Sequence, residues 1–268
     1  MTNHDSDTTI ADFGDQWIKF QDNSGYYGSP QLFNDIVAGV LDLADVPGRC
    51  VADIGSGTGR IVEMLLAAGA QHVDALEPSR AYHVVRERFR GREDRVTVHQ
   101  LRGDQIAGLG PFDLIFSVGV VHHIPDPLPV MKAAHAALKP NGRMVVWLYG
   151  KEGNRLFLAL ALPLRAVSKR LPDSLLQLVV HALDLPLRAY IALSRIAPLP
   201  LRDYMQNYLA KVAPDKRRLI IFDHLNPAYA KYYSRTEAIR LFEEAGFADI
   251  AIHHRHGYSW TVAGSKRL

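Results

Sequence analysis

VADIGSGTGR, residues 51–60, sets three glycines, Gly55, Gly57 and Gly59, at alternate positions behind a short apolar run that carries one acid, Asp53. A strand, a glycine turn and a helix together bring backbone N–H groups and a helix N-terminus against a polar ligand with no side chain in the way. The spacing is G-x-G-x-G. In the dinucleotide fingerprint it is G-x-G-x-x-G, with the third glycine opening a helix beneath a pyrophosphate. Asp53, two residues before the first glycine, would repel a pyrophosphate and suits a cationic group such as an ammonium. Glu77 ends the next apolar run, where such folds place the acid that takes ribose hydroxyls. The ligand should have a ribose and a positive end, and needs no phosphate.

From Cys50 to Tyr149 short apolar runs alternate with helix-like segments, as in a parallel sheet wrapped by helices. The pattern predicts strands at 50–54, 72–76, 96–101, 112–118 and 142–149. Apolar residues at three- and four-residue intervals predict helices over 60–69, 79–91 and from 128 to the stop at Pro140 and Gly142. After Tyr149 the alternation gives way to apolar helical text punctuated by Arg and Pro, at 155–171, 174–196 and 201–213, which reads as an all-helical insertion. A helix in 236–247, stopped at Gly246, and strands at 249–254 and 258–264 then return to the sheet. The first residues hold a helix over 29–45 and, before it, an aromatic segment whose irregular spacing fits a folded-over cover or a disordered arm. Phe13, Trp17, Phe20, Tyr26 and Tyr27 are costly to leave in water, which favours the cover. The units are 1–49, 50–150, 151–233 and 234–268.

Composition narrows the function classes. Of 268 residues 48% are hydrophobic, enough for a substantial core. The single Cys50, read as a buried strand residue, permits neither an internal disulfide nor a thiolate zinc site. A net charge of +3 with no basic run carrying aromatics argues against nucleic acid as a partner. The opening, MTNHDSDTTIADFGDQW, lacks the pattern of a signal peptide, and a cytoplasmic location is expected. No uninterrupted apolar run is long enough to cross a bilayer; LFLALALPL is closed by Arg155 and Arg165, so no transmembrane segment is expected.

DIGSGTG, Glu77 at the end of strand two, the pair Gly103 and Asp104, FDLIFSVGVVHHIPDP and LKPNGRMVVWLYG occur in an order that resembles the class I S-adenosylmethionine-dependent methyltransferases. Within that family the likeness is to the broad group acting on ubiquinone precursors, sugars and other small metabolites. It covers 51–149 closely and the last helix and two strands more loosely. The resemblance implies an α/β, Rossmann-like, doubly wound sheet of seven strands in the order 3-2-1-4-5-7-6, with strand seven antiparallel. It implies S-adenosylmethionine as cofactor and no metal. Asp53 and the turn of Gly55, Ser56, Gly57 and Gly59 would hold the methionine part, and Glu77, followed by Pro78, the ribose hydroxyls. Asp104 with Gln105 would take the adenine edge, and Ser117 would floor the sulfonium. Plainer roles stand beside these: Asp53 as a helix cap, Glu77 as a solvated strand end, Asp104 as a turn residue.

The methyl acceptor must be held in line with the sulfonium and often loses a proton. VVHHIPDP places His122 and His123 at the carboxyl edge of strand four. In the resembling group the second histidine often faces the substrate, so His123 is the favoured base and His122 the lesser candidate, for O-methylation of a small-molecule acceptor. N-, S- or C-methylation, or chemistry of a carboxylated cofactor, remain alternatives. Ordering of the loop is the plainer role. His224, Tyr229, Tyr232 and Tyr233, with Tyr26 and Tyr27 from the cover, are the candidate acceptor walls; anchoring the insertion is their alternative. His253, His254 and His256 invite a metal, but alternate strand positions and the lack of a nearby carboxylate in sequence favour a solvated strand end.

Between Lys151 and Arg218 twelve Lys or Arg stand against five Asp or Glu. The insertion is therefore read first as a lid over the acceptor, next as a homodimer contact, and last as a weakly membrane-binding surface.

Overall fold

A computed structural model of the chain describes residues 3–168, 171–226 and 229–268. Strands β1 (Cys50–Ile54), β2 (His72–Leu76), β3 (Val96–His99), β4 (Phe112–Val118), β5 (Leu138–Tyr149), β6 (Ala248–Arg255) and β7 (Ser259–Ser265) form one sheet in the order β3-β2-β1-β4-β5-β7-β6. The pairs among β1 to β5 are parallel, and β7 runs antiparallel to both β5 and β6. The expected Rossmann-like topology is therefore present. Central strands are buried on both faces, which is why CVADI and FDLIFSV are almost continuously apolar.

Helices α2 (Pro30–Val37) and α3 (Arg60–Ala67) cover one face of the sheet, where Phe33 meets Phe116. The region after β2 holds α4 (Tyr82–Arg88). On the other face α5 (Leu128–Ala137) and α10 (Arg235–Glu244) bury Met131 and Phe242. α10 opens with a reciprocal cap between Ser234 and Glu237, and Lys151 holds the Glu237 carboxylate from the end of β5. α2 stops at Val37, eight residues short of the helix expected from sequence, because Gly39 turns the chain at φ +76°. Cys50 is half-buried and not fully buried as expected.

The insertion is helical as expected, with α6 (Arg155–Ser168), α7 (Asp173–Leu193), α8 (Arg202–Tyr204), a π-helical turn at Met205–Leu209, and α9 (Pro214–Leu225). The segment 201–213 is thus broken where one helix was expected. α9 was missed: its mixed text has no strong apolar stripe, but Pro214 at its first position sets the backbone for a helix. α7 lies where a helix over 174–196 was expected. Its segment Ser174–Leu193 is long and apolar enough to cross a bilayer by length and composition, although charges interrupt it. Only 22% of that segment is buried, and Asp184 on its inner face pairs with Arg217 of α9.

HHRHG is not a solvated strand end. Arg255 is fully buried, pairs with Asp35 of α2 and donates to the Tyr258 hydroxyl at 2.6 Å. His256 bridges Asp35 at 2.9 Å and Asp203 of α8 at 3.0 Å. The carboxylates that the sequence did not place nearby come from distant segments and join cover, sheet and insertion. Burial alone would raise Asp35, but His256 and Arg255 more than offset it and hold its carboxyl below the usual range. Removing one partner of a buried pair strands the other. Asp35→Asn should therefore lower unfolding free energy by about 3 kcal/mol in urea titration. The depressed carboxyl contributes stability above its ordinary pKa that fades as pH falls, so the loss should be smaller in acid.

Candidate active site

The turn after β1 is built from backbone. Gly55 and Ser56 donate their N–H groups to the Leu76 carbonyl at 2.8 and 2.9 Å, fixing the turn against the end of β2. Gly55 has φ +79°, and a Cβ there would lie 2.4 Å from a Val120 methyl. Gly57 has φ +56° and faces Trp17, whose Nε1 would lie 3.1 Å from an added Cβ. Glu77 clamps the turn from β2: its two oxygens accept from Gly57 N at 2.8 Å and Ser79 N at 2.9 Å. Burial raises the Glu77 carboxyl, and these hydrogen bonds oppose the rise.

Asp53 sits beneath the turn, 1% exposed, with no hydrogen-bond partner for Oδ2. Burial, abetted by the charge of Glu77 and opposed by Ser56 and Arg60, pushes it up to about 7. A carboxylate in that setting favours either a proton or a cation beside it. The orphaned oxygen and the bare backbone fit a ligand with a positive end.

Above the turn lies a cavity of about 310 Å³. Gly55, Glu77, Pro78 and Asp104 line it, together with Val118, Gly119, Val120 and His123. Asp53, Ser56, Gly57 and Gly59 form the turn and its support without lining the cavity. Two expected residues are not brought in. Gln105 folds back to accept from Arg102 N at 2.8 Å, and Ser117, fully buried, donates to the Ile54 carbonyl at 3.3 Å.

The roof of this cavity is α1 (Asn3–Lys19), which brings Ile10, Phe13 and Trp17 over it. The aromatic cover expected from sequence is thus a helix lying on the candidate site. Arg80 binds Asp15, Arg102 binds Asp7 at 3.0 Å, and Gln16 binds Asp223 of α9. Among the described residues of the insertion none lines this cavity. Sequence reasoning took Phe13 and Trp17 as a cover without assigning them to the cavity, and it missed Asp223, which burial pushes up to about 7.

His123 lines the cavity against the Phe13 ring, centroids 4.6 Å apart. Its Nδ1–H donates to the Tyr229 carbonyl at 2.8 Å, which leaves Nε2 as the lone-pair nitrogen. Burial pushes it down to about 3, with the Tyr229 bond opposing. His122 is fully buried and faces away from the cavity, packed on Tyr149 at 3.9 Å and edge-on to Trp147 at 5.6 Å. Burial holds it well below its ordinary value.

A second cavity of about 240 Å³ lies inside the insertion, lined by His224 and Tyr232 with Tyr149. The other candidate acceptor residues are elsewhere. Tyr233 is core, Tyr27 lies under Arg60 at 4.4 Å, Tyr26 packs on Tyr208, and Tyr229 contributes its carbonyl to His123. Pro227 and Ala228, inside the expected 222–234 cluster, lie outside the described residues.

Residues 52–144 match the family model described as a methyltransferase domain. The tRNA U34 carboxymethyltransferases of Klebsiella pneumoniae and Vibrio cholerae are 30% identical over 115 residues, 42% of this chain. The chain spans about a third of their length, 34% and 36% respectively. Among solved structures, human N-acetylserotonin methyltransferase with S-adenosylmethionine bound is 14% identical, covering 89% of this chain and 54% of that one, with a TM-score of 0.53. An O-methyltransferase family protein of Burkholderia thailandensis is 12% identical, covering 88% and 56%, with a TM-score of 0.55. These structural likenesses are likenesses of fold.

The turn geometry makes a direct test. Gly55→Ala places a Cβ in left-handed backbone against Val120 and should cost about 2 kcal/mol in urea titration. Gly48→Ala, at φ +73° with open space around it, should cost only about 1 kcal/mol.

Proposed function

We propose, from the match of residues 52–144 to a methyltransferase domain and from the sheet order, that the chain binds S-adenosylmethionine and transfers its methyl group to oxygen of a small-molecule acceptor. The observation that carries the reading is the buried Asp53 carboxylate, its Oδ2 without a hydrogen-bond partner, beneath a bare glycine turn and beside a buried Glu77. Asp53 and the turn hold the positive end of the cofactor. Glu77 keeps lone pairs for the ribose hydroxyls beyond the two backbone bonds it accepts. Asp104 takes the adenine end, and the backbone of Val118 to Val120 replaces Ser117 as the wall next to the sulfonium. The bound cofactor supplies an activated methyl group; α1 excludes water from it.

His123 completes the site as a neutral imidazole. Its tautomer is set by Tyr229, so Nε2 accepts the proton that the acceptor hydroxyl loses as its oxygen takes the methyl. An imidazole held far below its ordinary pKa is a weak base. That favours an acidic hydroxyl, such as a phenol, over an ordinary alcohol. His122 packs the ring wall behind it.

The curated relatives raise a second reading, a carboxylated cofactor. Its added carboxylate would need a cation at the methionine end. Among the described residues lining the cavity the one Lys or Arg is Arg102, next to the adenine-end Asp104 and paired with Asp7, which favours the methyl form.

Calorimetric titration with S-adenosylhomocysteine should show binding that Glu77→Ala weakens by about tenfold or more. With methyl-labelled cofactor and a cell extract, label should enter the small-molecule fraction. His123→Ala should leave the affinity for S-adenosylhomocysteine unchanged and cut that transfer by about 100-fold. Absence of binding, or label found only in RNA or protein, would contradict the reading.

A further inference from the structure

Nine of the eleven exposed large hydrophobic side chains among the described residues lie between Leu156 and Ile196, so the insertion holds nearly all of them. On α7, Leu178 and Leu185 are 65% and 69% exposed and lie two turns apart on one face; Ile196, just past the helix, is 85% exposed. His181, Arg188 and Arg195 follow at the same spacing along one flank of that face, all exposed. Among the described side chains from Arg155 to Ile196 the one acid is Asp184, turned inward and bound to Arg217. Among the described side chains the outer surface is therefore leucine and arginine with no acid.

Behind it the second cavity is almost wholly apolar. Leu160 and Leu164 of α6 stand on the outer surface and also line this cavity, so its rim belongs to the leucine face. On its other side are His224, Tyr232 and Tyr149. Tyr149 packs on His122, and His122 lies 4.3 Å, ring to ring, from His123. The rings of Tyr149, His122 and His123 thus run from the apolar cavity to the candidate methyl-transfer site.

We propose that the leucine face of α6 and α7 seats on the surface of an anionic lipid bilayer, and that the cavity behind it takes the hydrocarbon body of a membrane-dissolved acceptor. The acceptor half rests on the methyl-transfer reading; the docking half does not. Leucines flanked by arginines match the boundary between acyl chains and anionic headgroups. A second copy of the same face would set arginine against arginine, and RNA phosphates would leave the leucines unmatched. α7 lies in the interface and does not span it, because its inner face packs on α9 and carries the Asp184–Arg217 pair.

Flotation of the full chain with vesicles tests this. It should bind phosphatidylcholine vesicles containing about one-third phosphatidylglycerol, bind pure phosphatidylcholine vesicles weakly, and be released by salt. Leu178→Glu with Leu185→Glu should cut the bound fraction about tenfold, and Arg188→Glu with Arg195→Glu should remove the preference for anionic lipid. Both variants should bind S-adenosylhomocysteine as the parent does, which shows that they fold. Ala161→Trp, which fills the cavity, should leave flotation intact and block label from reaching lipid-extractable product. The proposal is overturned if the parent chain does not float, if the leucine variant floats unchanged, if that variant instead converts a dimer to a monomer in light scattering, or if tRNA is bound in place of vesicles. Ala161→Trp transferring label like the parent overturns the acceptor half. Flotation without label in any fraction counts against methyl transfer alone.

Discussion

A carboxylate shut away from water without a partner is unfavourable by several kcal/mol unless it takes a proton or meets a cation. Asp53 meets that condition at one oxygen, being 1% exposed with no hydrogen-bond partner for Oδ2, and the surrounding structure keeps it there. β1 places it between strands that leave no route to solvent. The turn that follows must adopt left-handed backbone at Gly55 and Gly57, and Val120 and Trp17 close on the two glycines so tightly that larger residues have no room. Glu77 holds the turn through the Gly57 N–H. The same arrangement that strands the Asp53 charge therefore also builds the cavity wall above it. Its strain is intelligible as preorganisation for a cationic ligand, since a site that must relax before binding would lose affinity.

Much of this was legible before any coordinates. G-x-G-x-G behind an apolar run fixes a strand, a turn and a helix by local backbone requirements alone, and the acids at 53 and 77 follow from where parallel strands end. The strand order was legible only through family resemblance. What stayed hidden depended on contacts across the chain. Ser117 and Gln105 are the right residue types at plausible positions, but one hydroxyl is taken by Ile54 and the other side chain by its own helix cap. His256 was read with His253 and His254 as a solvated strand end because Asp35 and Asp203 are more than fifty residues away in sequence, and only the fold brings them to it.

Which cavity each cover serves was hidden for a similar reason. Aromatic residues at irregular spacing gave the N-terminal segment no clear period, while the insertion announced itself by length and apolarity. In the structure α1 closes the cavity above the glycine turn and the insertion lines a separate apolar one. His122 and Tyr149 lie between them, so a pair of histidines that reads as one catalytic motif divides into a ring that packs and a ring that lines the site. Burial lowers the pKa of both and keeps them neutral.

If Asp53 is held ready for a cation, ligand binding must expel its proton. With its carboxyl near 7 in the free chain, about half a proton should leave when S-adenosylmethionine binds at pH 7. Calorimetry in two buffers of different ionisation enthalpy would read that release. Affinity should rise from pH 5.5 to about 7 and level off above it, and Asp53→Asn should remove both effects. Binding that exchanges no protons and ignores pH over this range would contradict the account.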